Sequence, residues 1–156
     1  MKKRTILTLL FTLCSLLFIN PLHAQTADRI ERLLEKEKVS YQEAALLVLE
    51  ASGRLDSASK TKAEDAFSFA MARGWLPANT KASNAINLKG LSILIMQAFS
   101  LKGGLFYTLF KNPHYAYRIL AYHSIIQGRI GPLMYVSGEL LLFTVNRTMN
   151  LIGSGE

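Results

Sequence analysis

The sequence predicts an all-α protein built as three helix-loop-helix units stacked into one bundle. Two observations carry this. Apolar residues recur at helical spacing in three stretches, each opened by a capping residue. They are Leu46, Leu47 and Leu49 after Val39-Ser40, then Leu91, Leu94, Ile95, Ala98 and Phe99 after Ile86-Asn87, and finally Leu141, Thr144, Val145, Met149 and Leu151 after Val136-Ser137. The three openings lie 47 and then 50 residues apart. An isolated helix pair cannot bury its apolar face, so units of this kind stack on one another.

The register between the second and third units holds without a gap at an offset of 50. Ala66 aligns with Ala116, Phe69 with Ile119, Ala70 with Leu120, Trp75 with Ile125, Leu76 with Ile126, and Phe99 with Met149. Each unit is a short helix, a loop carrying two apolar residues, and a longer capped helix. The units cover about 27–53, 62–102 and 114–152, the first with almost no loop.

Residues 1–24 read as a secretory signal peptide. Lys2, Lys3 and Arg4 form a basic start, Ile6 to Ile19 an apolar run, and Ala24 a small residue before Gln25. The run is short of the ~20 residues of a comfortable membrane span. Lipidation at Cys14 is disfavoured by the bulky residues before it and by the apolar run that continues after it. Cleavage after Ala24 leaves no cysteine, which excludes thiol catalysis and Cys-ligated metals.

The domain is then 25–156, and without the three signal-peptide bases it carries 15 bases against 11 acids, net +4. Gln25 to Asp65 holds nine acids and seven bases, whereas Ala66 to the end holds two acids, Glu139 and Glu156, against eight bases. A charged front is followed by an apolar, basic back. Such a surface suits an anionic wall polymer or acidic lipid, with nucleic acid the least expected partner of an exported chain, or else the eight scattered bases are ordinary solvated surface.

The elements follow in order. Ala27 to Glu37 is a helix starting near Thr26 or Asp28. Ser40 and Glu43 form a capping box for a helix that runs to Ser52 and stops at Gly53. A polar linker, Arg54 to Thr61, leads to a helix from Lys62 to Arg73 that ends at Gly74. Trp75 and Leu76 then turn down onto the core. Asn87 caps the next helix, closed by Gly103-Gly104, and Leu105 to Phe110 is a short helix or an extended connector. A helix from His114 to Gln127 closes at Gly128. Ser137 caps the last helix, which reaches Leu151, and the Gly-Ser-Gly-Glu tail frays.

Three helix-loop-helix units with short-helix ends Arg73-Gly-Trp-Leu-Pro77 and Ser124-Ile-Ile-Gln-Gly128 resemble the S-layer homology (SLH) domain. So do the long-helix starts Val39-Ser-Tyr-Gln-Glu43, Ile86-Asn-Leu-Lys-Gly90 and Val136-Ser-Gly-Glu-Leu140. The resemblance covers nearly all of the chain after residue 24. It implies a pseudo-threefold helical bundle that holds exported proteins to cell-wall polysaccharide, with a motif arginine on the anionic polymer. At that position this sequence carries Tyr41, Leu88 and Gly138, and the motif glutamate is kept only as Glu43. By the same resemblance Arg73, Trp75, Arg118 and Arg129 sit on loop ends lining grooves between units, and they are the candidate ligand residues.

Catalytic, metal and cofactor sites are not expected. His114 and His123 are nine residues apart, and no carboxylate occurs from 66 to 138, where a metal site needs three or four ligands. The histidines read instead as one exposed and one half-packed. Glu139, a lone acid at a helix start, is placed to favour the helix dipole and to pair with Arg129 or Arg147. Tyr107, Tyr115, Tyr117, Tyr122 and Tyr135 suit stacking or core packing. No phosphate loop or nucleophile motif occurs.

The expectation is an exported, non-catalytic binding or tethering module of the periplasm or cell envelope whose partner is envelope polysaccharide or envelope protein. The alternative is a structural accessory subunit whose apolar back, Leu133 to Val145 with Leu105 to Phe110, docks on a membrane protein or touches the membrane surface peripherally.

Overall fold

A computed structural model of the chain describes residues 21–55, 61–128 and 130–154. The expected signal segment up to residue 20, most of the polar linker, Arg129 and the last two residues lie outside the described residues. The protein is all-α. Among the described residues its helices are α1 (Pro21–Leu34), α2 (Tyr41–Ala51), α3 (Ala63–Ala72), α4 (Leu88–Ala98), α5 (Leu105–Phe110), α6 (Pro113–Tyr122) and α7 (Gly138–Gly153). Among the described residues the only extended pairing is two isolated bridges, Ser40 with Ala85 and Asn87 with Tyr135.

The chain divides into two compact units, Met1–Arg32 and Leu33–Glu156. The described part of the first is the helix of α1 from Pro21. That helix already includes Pro21, six residues before the expected Ala27, and runs through Thr26 and Asp28, so neither marks its beginning. No proline or glycine after Pro21 interrupts the helix before Leu34.

In the second unit the three long helices start from a closed ring of backbone hydrogen bonds. Val39 N donates to Val136 O at 2.8 Å, Ile86 N to Val39 O at 2.8 Å, and Val136 N to Ile86 O at 3.0 Å. The three side chains are completely buried. Two residues on, at the first residue of each long helix, the pattern recurs. Tyr41 N donates to Asn84 O, Leu88 N to Met134 O, and Gly138 N to Lys36 O, each at 2.9 Å.

A helix start leaves four N–H groups without intrahelical acceptors. Here a neighbouring segment's carbonyl takes one and a cap side chain takes another. Ser40 Oγ accepts from Glu43 N at 3.4 Å, Asn87 Oδ1 from Gly90 N at 2.9 Å, and Ser137 Oγ from Leu140 N at 3.2 Å. Glu43 completes the capping box by accepting from Ser40 N. The ring also explains why α1 ends at Leu34 and not at Glu37. Lys36 must offer its carbonyl to Gly138 and Val39 must be extended to join the ring.

The short helices pack with α2 against α3 and α4 against α6, and α2 also meets α4 and α7. α2 pairs with α3, the helix after it, and α4 pairs with α6 past the six-residue α5, so both pairs are out of step with the sequence units. Leu49, Leu91, Leu94, Ile95, Leu120 and Leu141 are fully buried between them.

Two helices stop earlier than their glycines suggest. α4 ends at Ala98 because Ser100 turns left-handed (φ 53°), and α6 ends at Tyr122 because Ser124 does the same (φ 58°). Ser124 sits where Gly74 (φ 66°) stands in the preceding unit. Ile125 N and Ile126 N then both donate to Leu120 O, at 2.9 and 3.2 Å, and the two isoleucines turn into the core. α5 resolves the Leu105–Phe110 alternative as a helix, and α7 continues past Leu151 to Gly153.

Gly138 is enforced by close approach. A Cβ there would fall on the carbonyl oxygen of Leu33, whereas a Cβ at Gly90 would meet the movable hydroxyl end of Tyr41 at 2.5 Å. Gly138→Ala is expected to cost more than about 3 kcal/mol. Gly90→Ala is expected to stay within about 1 kcal/mol, since the helical gain offsets a tyrosine shift. Urea unfolding of the two variants checks this.

Burial alone would raise the Glu43 carboxyl, but hydrogen bonds from the Lys36 and Ser40 side chains and the Ser40 amide, with the Lys36 charge, hold it below its ordinary value. The stability this contributes is present above the unfolded carboxylate pKa of about 4.3 and is lost as pH falls through the lower folded value. Glu43→Gln is expected to lose less stability than wild type between neutral pH and that acid range, read from thermal unfolding across pH.

Candidate functional site: two cation-lined grooves beside α5

The larger groove, about 550 Å³, lies between α6 and the segment that follows α4. Tyr115, Arg118, Ile119 and Tyr122 line it from α6 at the i, i+3, i+4, i+7 spacing of a single helix face. Lys102, Gly104 and Tyr107 form the opposite wall and His123 one end. Lys102, Arg118, Tyr122 and His123 are exposed, Tyr115 is half-buried and Tyr107 is buried. Burial raises the Tyr107 phenol above its ordinary value, and the hydrogen bond that Gln97 Nε2 donates to its oxygen at 2.9 Å partly offsets this. The phenol therefore stays neutral, and no carboxylate lines the groove.

The second groove, about 340 Å³, is lined by Arg73, Trp75, Leu76, Pro77, Ile93, Gln97, Lys111 and Pro113. Gln97 on this side and Tyr107 on the other form the shared wall. Trp75 meets Phe69 edge to face (5.8 Å), and the Arg54 and Arg73 guanidinium groups lie 5.4 and 5.7 Å from its ring. Arg73 also covers Phe69 at 4.3 Å. Arg54 Nε donates to Ala98 O and its terminal nitrogen to Ser100 Oγ, at 2.5 and 2.6 Å. Arg54 thus satisfies an orphan carbonyl at the end of α4. The indole is engaged by these cations, so this groove offers the exposed Arg73 and Lys111 and no open stacking face.

The four expected ligand residues are therefore divided. Arg73 and Trp75 share the small groove, Arg118 lies in the large one, and Arg129 is outside the described residues. Lys102 was not anticipated, because its loop position shows no pattern in the chain. The Tyr115–Tyr122 spacing was the sequence signal for the large groove. His114 and His123 are both exposed, in place of the expected one exposed and one half-packed. Among the described residues no group of three or more His, Cys, Asp or Glu could hold a metal ion.

The positions that carry the motif arginine in the resembled family are all taken up by packing, Tyr41 half-buried and the other two buried. Tyr41 lies against Gly90, and burial raises its phenol above the ordinary value. Leu88 is fully buried, and Gly138 has no room for a side chain. Glu139 lines an apolar depression with Leu34, Leu142, Phe143 and Asn146. Arg147, an expected partner for it, donates to Ile125 O at 3.3 Å and lies over Phe143.

Comparison of the chain with models of known families, with curated proteins and with solved structures found no match.

Because Arg54 bonds the last carbonyl of α4 and the Ser100 hydroxyl in the turn after it, and Arg73 stacks at the surface, Arg54→Ala is expected to cost about 1–2 kcal/mol and Arg73→Ala about 0.5, measured by chemical denaturation.

Proposed function

We propose that this protein is an exported, non-catalytic binding or tethering module of the cell envelope that takes an anionic polysaccharide along the large groove. One observation carries the reading. Lys102, Arg118 and His123 converge with Tyr115 and Tyr122 on a single concave surface free of carboxylates. Cations meet the polymer's acid groups and aromatic rings meet its sugar faces. The wider charge pattern agrees, since no acid occurs from 66 to 138 while seven bases do. The SLH-like unit order supports the scaffold. The family's own arginine positions are occupied by packing, so contact with polymer falls to groove residues.

Pull-down on purified anionic envelope polysaccharide tests it. Wild type is expected to bind at low salt and release as salt rises. Arg118→Ala with Lys102→Ala is expected to weaken binding by at least about tenfold, since each lost charge-assisted contact is worth roughly 1.5 kcal/mol. A double variant that binds like wild type sinks the reading.

A further inference from the structure

We propose that the tip of α5 is a docking point for an anionic lipid bilayer. Leu109 and Phe110, consecutive at the end of this six-residue helix, are 70% and 62% exposed. Single exposed apolar residues are ordinary, but two large ones side by side at a helix end form a contact surface. Lys111 follows at once in a left-handed conformation (φ 42°), which closes the helix and reverses the chain at that point.

Charge identifies the occupant. Lys102 and Arg118 line the groove on one side of α5, and Lys111 and Arg73 line the groove on the other. A protein partner with a plain apolar patch gives no reason for cations on both flanks without a single acid from 66 to 138. An anionic membrane does. The apolar pair enters the headgroup–acyl boundary while the long basic side chains stay at the phosphate level. Each cation near such a surface strengthens attachment by roughly fivefold. Among the described residues no helix is long and apolar enough to cross a membrane. This inference shares Lys102 and Arg118 with the polysaccharide reading and adds the outer end of α5, so substitutions at Leu109 and Phe110, which lie outside the groove lining, separate the two.

The test is co-sedimentation of the protein, as its own cells produce it, with vesicles of phosphatidylglycerol and phosphatidylcholine and with vesicles of phosphatidylcholine alone. Binding to the anionic vesicles is expected to exceed binding to the neutral ones by tenfold or more, and to drop by about tenfold in Leu109→Ser/Phe110→Ser. Both side chains are exposed, so this variant is expected to keep its melting temperature and its polysaccharide binding. In a separate variant, Phe110→Trp, a fluorescence blue shift on adding anionic vesicles is expected. Equal binding to the two vesicle types, no loss in the serine variant, or no shift from the tryptophan overturns the proposal. So does a concentration-dependent dimer, seen by analytical ultracentrifugation, that the serine variant abolishes, since the tip would then be covered by a second copy.

Discussion

Three backbone hydrogen bonds, from Val39 to Val136, Val136 to Ile86 and Ile86 to Val39, are the constraint on which the rest of the second unit depends. Each is a modest interaction, worth about 1 kcal/mol net. Their effect is larger than that because they are buried among the valine and isoleucine side chains. A buried amide or carbonyl left without a partner costs more than a bond gains. If one segment leaves the ring, two others lose a partner. The second tier, two residues further on, ties the same segments to the first turns of α2, α4 and α7. Position and orientation of the three long helices are thus set where they begin.

From this origin the packing follows in one direction along the chain. Each long helix runs out from the ring, and α2 and α4 pack against the short helices α3 and α6. Their ends are set by left-handed residues, Gly74 and Ser124. Those turns deliver Trp75–Leu76 and Ile125–Ile126 back to the core. The buried hydroxyls of Ser92, Thr144 and Thr148 are satisfied within their own helices by donating four residues back. On α7, Phe143 and Met149 stay about half exposed.

α5 and the turns around it stand apart from this scheme. The segment follows the left-handed turn at Ser100 and precedes the Asn112 cap of α6, whose Oδ1 accepts from His114 N at 2.8 Å. Its buried face is held by Tyr107 and Gln97, and its outer end presents apolar side chains. It packs beside α6, with one groove lined by Tyr107 and the other by Lys111 and Pro113. The same residues therefore account for the groove walls and for the exposed tip.

What the sequence determined by itself was the helical content, the three caps Ser40, Asn87 and Ser137, the apolar stripes and the uneven charge. These depend on neighbours within about four residues, where side-chain spacing and cap chemistry act directly. The early ends of α4 and α6 were hidden, because serine in a left-handed turn has no glycine to announce it. Tertiary structure alone decided that Val39, Ile86 and Val136 close a ring, that Arg54 caps α4 from 44 residues away, and that Lys102 faces Arg118. It also decided that Tyr41, Leu88 and Gly138 are packing positions. Each of these is a contact between residues far apart in the chain, and local pattern carries no information about which distant backbone will approach.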